Sequence, residues 1–176
     1  MRSPNSLTFY IDQTKFYDKP DLRSMWVLKG KEALVKTFRT GREKVIYYGA
    51  YCFQNKDILV HEELEETSEI TASFLISIRA QYPHKRLDII LDNAPWHYGS
   101  EVKRIAKRYK IHLHYLPPYS PDLNPIESLW NWAQSEVTVN QDYPSFYDKK
   151  ENLNSFFTNL SERPVEIETR MVRNFS

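Results

Sequence analysis

The hydrophobic pattern changes its period near residue 68, and this change limits the folds that the chain can adopt. Earlier runs rich in Val, Ile and Tyr are separated by turn signals such as Lys29-Gly30, which indicates strands. Later apolar residues recur at helical spacing and alternate with two strand-like runs. This order predicts an α/β fold, in which antiparallel strands precede parallel strands and helices flank the mixed sheet. The predicted strands are 7–12, 25–28, 44–53, 57–61, 87–91 and 111–116, and the predicted helices are 68–82, 100–110, 124–139 and 146–160.

Capping signals support two of the predicted helices. Ser68 is a plausible N-cap of the first helix. Asn124 is a good N-cap for the helix that follows it, and Pro125 suits the first helical position. Residues 162–176 carry no clear pattern, and we interpret them as a tail whose structure depends on a partner.

Composition favours a single domain over residues 1–176, in which 141–176 form a C-terminal helical extension. Hydrophobic residues make up 41% of the 176 residues, which is typical of a globular protein. The formal net charge is +1, so a surface for nucleic acid would have to be a local patch. Cys52 has no partner for an internal disulfide, and we interpret it as a core residue in a reducing, cytoplasmic setting. No apolar run approaches transmembrane length, which predicts no membrane partner.

Three carboxylates occupy positions from which one pocket could be built. Asp12 and Asp92 each end an apolar run, and Glu127 follows a proline-rich stretch. The carboxyl ends of strands are where open α/β sheets place ligands. Carboxylates that share a pocket repel one another unless cations neutralise them, and hard oxygen ligands suit Mg²⁺ or Mn²⁺. Taken singly, each aspartate is equally well explained as a turn residue. Glu127 lies three residues after Asn124, at the N3 position, so a capping box explains it as well.

Two motifs carry a resemblance to a known family. Segments 91–97 (LDNAPWH) and 115–127 (YLPPYSPDLNPIE) resemble the catalytic core of DDE transposases of the mariner superfamily, most closely its prokaryotic insertion-sequence branch. The 34 residues from 93 to 126 that separate Asp92 from Glu127 match the spacing in that family. The resemblance covers roughly residues 7–140 and implies a ribonuclease H-like fold. It also implies that Asp12, Asp92 and Glu127 hold two Mg²⁺ (or Mn²⁺) ions.

The same resemblance implies a reaction and its partners. One ion would activate a water or a 3′-hydroxyl, and the other would stabilise the leaving oxygen. The DNA partners would be transposon ends and a target duplex, bound by a homodimer in a nucleoid-associated complex. Full-length relatives carry an N-terminal helix-turn-helix domain, and none precedes Leu7, so a separate DNA-binding subunit or domain is expected. The family often has Glu after the first Asp, where this chain has Gln13.

Several further residues are weaker candidates for a role in the site. Asn93, His97 and Asn124 are candidate supporting residues, and His97 is a candidate contact to phosphate or to the attacking water. A hydrogen-bonded structural histidine explains His97 equally well. The basic face of the helix over 100–110 could follow a DNA backbone, although most such faces are simply solvated. The candidate DNA-binding residues on that face are Lys103, Arg104, Lys107 and Arg108.

Other nearby residues are better explained by structure. His112 and His114 are interpreted as strand-face residues, and Trp130 and Trp132 as core residues. Two alternatives to a transposase stay open from the residues alone. One is a hydrolytic nuclease or resolvase of the same fold, and the other is an inactive DNA-binding module descended from a transposase. The proline-rich motif favours the transposase.

Overall fold

A five-stranded mixed sheet organises the part of the chain that the structure describes. In the computed structural model this part comprises residues 5–22, 41–118 and 120–171. The sheet has the spatial order β3-β2-β1-β4-β5. The pairs β1–β2 and β2–β3 are antiparallel, and β1–β4 and β4–β5 are parallel. The strands are β1 (Ser6–Tyr17), β2 (Lys44–Cys52), β3 (Ile58–Glu63), β4 (Arg86–Leu91) and β5 (Ile111–Tyr115).

This topology confirms the predicted α/β class and the order of antiparallel and then parallel strands. The predicted strand 25–28 lies outside the described residues. The predicted end of the first strand at Asp12 is wrong, because β1 continues to Tyr17. The reason is the length of its partner: β2 pairs with β1 from Cys52 opposite Phe9 to Lys44 opposite Tyr17. Asp12 therefore lies in the middle of a strand.

Helices cover both faces of the sheet. Helices α1 (Ser68–Gln81) and α2 (Ser100–Arg108) pack on one face, where Phe9 and Ile89 lie in the core. The opposite core contains Tyr47 and Trp132 and receives the three later helices. These are α3 (Ile126–Ala133), α4 (Phe146–Thr158) and α5 (Pro164–Met171). Short 3₁₀ turns occupy Pro95–Tyr98, Pro121–Leu123 and Asn159–Glu162, and a π-helical turn at Gln134–Thr138 continues α3.

The beginnings of two helices differ from the prediction. Thr67, and not Ser68, is the N-cap of α1, because its backbone is extended and its hydroxyl accepts from the Ile70 N–H at 3.2 Å. Ser68 instead donates to the carbonyl of Trp96 at 2.9 Å. Helix α3 begins at Ile126, later than predicted, although Asn124 Oδ1 still accepts from the Ile126 N–H at 3.4 Å.

The interpretation of 162–176 as a tail is wrong for the residues that form α5. Ile167 and Met171 are buried in the core beneath α3 and α4, so this helix belongs to the folded domain. Cys52 is buried and free, as predicted. No helix in the described ranges is both long enough and apolar enough to span a bilayer.

Candidate active site

The three predicted carboxylates line one cavity of about 490 Å³. Asp12 projects from the middle of β1, Asp92 follows the last residue of β4, and Glu127 lies in the first turn of α3. The pairing of β1 with β4 ends at Tyr10 and Ile90. Asp12 and Asp92 therefore lie just beyond the point at which the two strands cease to pair, and the cavity opens there.

Asp12 and Glu127 form the buried side of the cavity. The Asp12 side chain is only 6% exposed. Burial, together with the negative charge of Glu127, raises the pKa of Asp12 well above its usual range. Burial also raises the pKa of Glu127, and the negative charge of Asp92 adds to that shift. Glu127 lines the same cavity as Asp12 and Asp92, a position that the capping-box alternative does not by itself explain. The pair holds a proton more tightly than two exposed carboxylates would.

Asp92 lies in a different environment. Partial burial pushes its pKa upward, but hydrogen bonds from His97 and from the Ala94 N–H outweigh that effect, so the pKa of Asp92 lies below its usual value. His97 Nδ1 is 2.7 Å from Asp92 Oδ1, and the Ala94 N–H donates to the same oxygen at 3.0 Å. Asp92 is therefore the carboxylate that is most readily ionised.

His97 supports Asp92 from the protein interior. Its side chain has no exposed surface, so the predicted direct contact to phosphate or water is corrected to the structural alternative. Because a carboxylate only accepts hydrogen bonds, the short contact places the ring proton on Nδ1. Nε2 is buried and has no hydrogen-bond partner among the described residues.

The two asparagines tie the cavity walls together. Asn93 Nδ2 donates to the carbonyl of Leu116 at 2.7 Å, and its Oδ1 accepts from the Tyr98 hydroxyl. This links the end of β4 to the proline-rich segment. Asn124, which is 3% exposed, donates to the carbonyl of Ile11 at 3.3 Å and so joins the start of α3 to β1 beside Asp12. Both line the cavity, and their supporting role stays a prediction.

Trp130 is a site residue that the sequence analysis assigned only to the core. It is a core residue, at 5% exposure, but its indole Nε1 also donates to Asp12 Oδ2 at 3.0 Å. One signal was available in the sequence: Trp130 follows Glu127 by three residues, which places both on one face of α3. Gln13, the departure from the family pattern, accepts from the Trp96 indole at 3.3 Å.

The donor set fits a hard divalent cation, although it is not a closed cage. Aspartate and glutamate oxygens are the ligands that Mg²⁺ and Mn²⁺ prefer. Among the described residues, no three His, Cys, Asp or Glu side chains are arranged to enclose a metal ion by themselves. Mg²⁺ sites that act on phosphates commonly use one or two carboxylates and leave positions for water and substrate oxygens. The open cavity is compatible with that pattern.

The predicted basic residues lie outside the cavity. Lys103, Lys107 and Arg108 are exposed on α2, and Arg104 is ion-paired with Glu101. Arg108, at the end of the helix, lines a separate groove together with Lys85 and other basic residues. His112 and His114 lie on β5, where His114 contacts Asp88 at 3.0 Å, in agreement with their interpretation as strand-face residues.

Comparison with known proteins places this site in a family context. The family described as DDE superfamily endonuclease matches residues 8–149. A Tc3 transposase from Caenorhabditis elegans is 30% identical over 156 residues, which is 84% of this chain and 47% of that protein. An uncharacterized 39 kDa protein of insertion element IS630 from Shigella sonnei is 26% identical over 158 residues, which is 89% of this chain and 46% of that protein. The chain thus spans about half the length of these relatives.

Solved structures share the fold. The Mos1 transposase paired-end complex with left transposon end has a TM-score of 0.67 at 18% identity, and the match covers 98% of this chain and 56% of that one. The Mos1 mariner paired-end complex with Mn has a TM-score of 0.61 at 18% identity, and the match covers 95% of this chain and 55% of that one. At this level of identity the likeness establishes the ribonuclease H-like arrangement of sheet and helices, as the sequence motifs implied.

Proposed function

Because the chain belongs to the DDE superfamily endonuclease family, we propose that it is the catalytic part of a transposase, which cuts DNA and transfers the strand ends to a target duplex. The observation that carries the proposal is the convergence of Asp12, Asp92 and Glu127 on one cavity at the point where two central strands cease to pair. Each comes from a different element, so a shared role explains their meeting better than three separate turns or caps.

We propose that these carboxylates hold two Mg²⁺ or Mn²⁺ ions. When bound, the ions supply an activated water or 3′-hydroxyl and stabilise the leaving oxygen. The similarity to a Mos1 complex with Mn supports this choice of metal. Oxygen donors line the acidic side of the cavity. The pKa values of Asp12 and Glu127 are raised first by burial and then by the negative charge of neighbouring carboxylates, and a bound cation would relieve that charge.

The protein residues divide the remaining work. Hydrogen bonds from His97 and the Ala94 N–H keep Asp92 ionised, which makes it the first ligand available to a cation. The raised pKa values of Asp12 and Glu127 mean that cation binding at this side of the cavity would compete with protons. Asn93 joins the end of β4 to the proline-rich segment by its hydrogen bond to the Leu116 carbonyl, and residues of this segment line the cavity.

The proposed partners are transposon-end DNA and a target duplex. The exposed lysines of α2, Lys103 and Lys107, are one helical turn apart, so both are available to a phosphate backbone that runs along this helix. Transposition joins two element ends, which suggests a homodimer in the active complex. A further DNA-reading domain or subunit would supply recognition of those ends.

Cation-dependent cleavage tests the proposal. Wild-type protein with Mg²⁺ or Mn²⁺ should nick duplex DNA and join a pre-cut 3′-hydroxyl end to plasmid, and Asp92→Asn should abolish both reactions. Asp88→Asn is the matched control, because Asp88 lies on β4, which Asp92 directly follows, but contacts Arg86 and His114 and does not line the cavity. Cleavage without strand joining would indicate a hydrolytic nuclease. Cleavage that needs no divalent metal, or that survives Asp92→Asn, would contradict the proposal.

A further inference from the structure

Asp12 has an unusual neighbour across the sheet. In the antiparallel pairing of β1 and β2, its partner is Gly49. Paired residues in such a ladder present their side chains to the same face, so the position beside the Asp12 carboxylate has no side chain. The neighbouring positions on that face of β2 are filled by Tyr47 and Tyr51, which are both buried.

The indole of Trp130 fills the space over Gly49. A Cβ atom at Gly49 would lie 2.5 Å from Trp130 Cη2 and 2.6 Å from Cζ2, closer than real Cβ atoms come. These two atoms belong to the outer edge of a buried indole ring, and Ile126 Cδ1 lies 3.3 Å from the same Cβ position. The glycine is thus explained by close approach of a side chain and not by a turn, since it lies within a regular strand.

This placement brings the indole N–H to the carboxylate. Trp130 Nε1 donates to Asp12 Oδ2 at 3.0 Å, and both groups are buried from water. A hydrogen bond is stronger in a buried, low-dielectric environment than in water, so the indole N–H is a donor that can help to fix the orientation of this carboxylate. The same helix face carries Glu127, so the indole and the glutamate reach Asp12 from one rigid element.

We propose that Trp130 is a positioning residue for Asp12 and that this role requires a glycine at position 49. Because Gly49 has no side chain, the indole packs over β2 and holds one oxygen of the Asp12 carboxylate in the orientation for a metal ligand. The inference rests on the proposed role of Asp12 in holding a divalent cation. It adds a donor and a glycine to the residues on which that site depends.

The chain offers a matched pair of variants for the test. Trp130→Phe keeps an aromatic ring against Phe157 but removes the N–H. Trp132→Phe removes an equivalent buried indole N–H, which donates to Glu136 at 2.8 Å, well away from Asp12 in the hydrogen-bond network. The measurement is the rise in Tm with added Mn²⁺, relative to the metal-free Tm of each variant, with duplex DNA present.

Loss of the positioning donor should weaken the apparent affinity for Mn²⁺ by roughly 10–100-fold, the usual cost of removing a group that orients a ligand. Trp132→Phe should lower the metal-free Tm but leave the Mn²⁺ affinity unchanged. Equal Mn²⁺ affinities in the two variants would overturn the inference. If the wild-type protein shows no Mn²⁺ response at all, the proposed function fails first, and the two failures are thus distinguishable.

Gly49→Ala supplies a second, independent arm. The added methyl group must displace the indole, so this variant should lose Mn²⁺ affinity although its own side chain has no donor. The double variant Gly49→Ala, Trp130→Phe has a smaller ring, which lacks the Cη2 and Cζ2 atoms that the added methyl group would meet. Its affinity for Mn²⁺ should equal that of Trp130→Phe alone. Losses that add in the double variant would show independent effects and would contradict a shared mechanism.

Discussion

At the scale of single residues, three similar carboxyl groups have three different environments. Asp12 is buried beside another carboxylate, Glu127 is half-buried against it, and Asp92 is held by a histidine and a backbone N–H. The motifs in the sequence were sufficient to predict that these three residues share one cavity. They could not assign the environments, because burial of His97 and the reach of Trp130 depend on which strands pair and in which register.

The burial of Asp12 should cost stability when no metal is bound. An unfolded aspartate has a pKa of about 3.9, and the folded pKa is higher. The protonated form of Asp12 therefore contributes to the free energy of unfolding in full below about pH 3.9, and this contribution is lost as the pH rises through the folded pKa. Asp12→Asn removes the cost of burying this charge and its repulsion by Glu127. It should therefore raise the metal-free Tm at pH 7, by roughly 2–4 °C for each kcal/mol of that cost, and change it little near pH 4.

Thermal unfolding of metal-free protein at several pH values checks this expectation. Asp88→Asn is the control, because the pKa of Asp88 is shifted in the direction opposite to that of Asp12. Partial burial raises the pKa of Asp88, but hydrogen bonds from His114 and Arg86 lower it overall, so its contribution to stability is present above the unfolded pKa and is lost as the pH falls. That substitution should lower the Tm at pH 7 or leave it unchanged. A lower Tm for Asp12→Asn at pH 7 would refute the electrostatic account.

At the scale of elements, the order of strands and helices was predictable and their lengths were not. The apolar run ends at Ile11, so the strand was predicted to end at Asp12. The polar residues Gln13 to Lys15 continue it because their backbone pairs with that of β2. Helix α5 has too few apolar residues for a periodic signal. Its stability comes from packing against the core, which a local pattern does not record.

Helix α5 offers a direct test of that packing. Ile167 is buried at 6% exposure, whereas Val165 on the same helix is 74% exposed. Ile167→Ala should lower the free energy of unfolding by about 2–4 kcal/mol, and Val165→Ala should change it by less than about 0.5 kcal/mol. Denaturant unfolding of both variants provides the measurement. Similar values for the two would mean that α5 contributes little to the domain.

At the scale of the whole molecule, a net charge of +1 conceals an uneven distribution. Acidic groups gather in the cavity, and basic groups lie along α2 and in the groove lined by Arg79, Lys85 and Arg108. Composition alone predicted that any nucleic-acid surface would be local. It could not place that surface, because the relation of α2 to the cavity comes from the packing of α1 and α2 on one side of the sheet.

Neutralising the two exposed lysines of α2 should weaken DNA binding and make it less sensitive to salt. Each phosphate contact that is lost reduces the magnitude of the slope of log K against log salt by about 0.9. The double variant Lys103→Gln, Lys107→Gln should therefore reduce this magnitude by roughly one to two units. Fluorescence anisotropy with a labelled duplex at several salt concentrations measures this slope. Lys56→Gln with Lys150→Gln removes the same net charge elsewhere and should have a smaller effect; equal effects would point to net charge alone.

The order of the site residues along the chain has a consequence for synthesis. Asp12 lies on the central strand and is made early, but its partners come from β4 and from α3, which contains Glu127. Domains emerge from the ribosome amino end first, so a nascent or prematurely ended chain that lacks α3 holds neither Glu127 nor the indole over Gly49. If the proposed site is the catalytic one, polypeptides that end before α3 should therefore not cleave DNA.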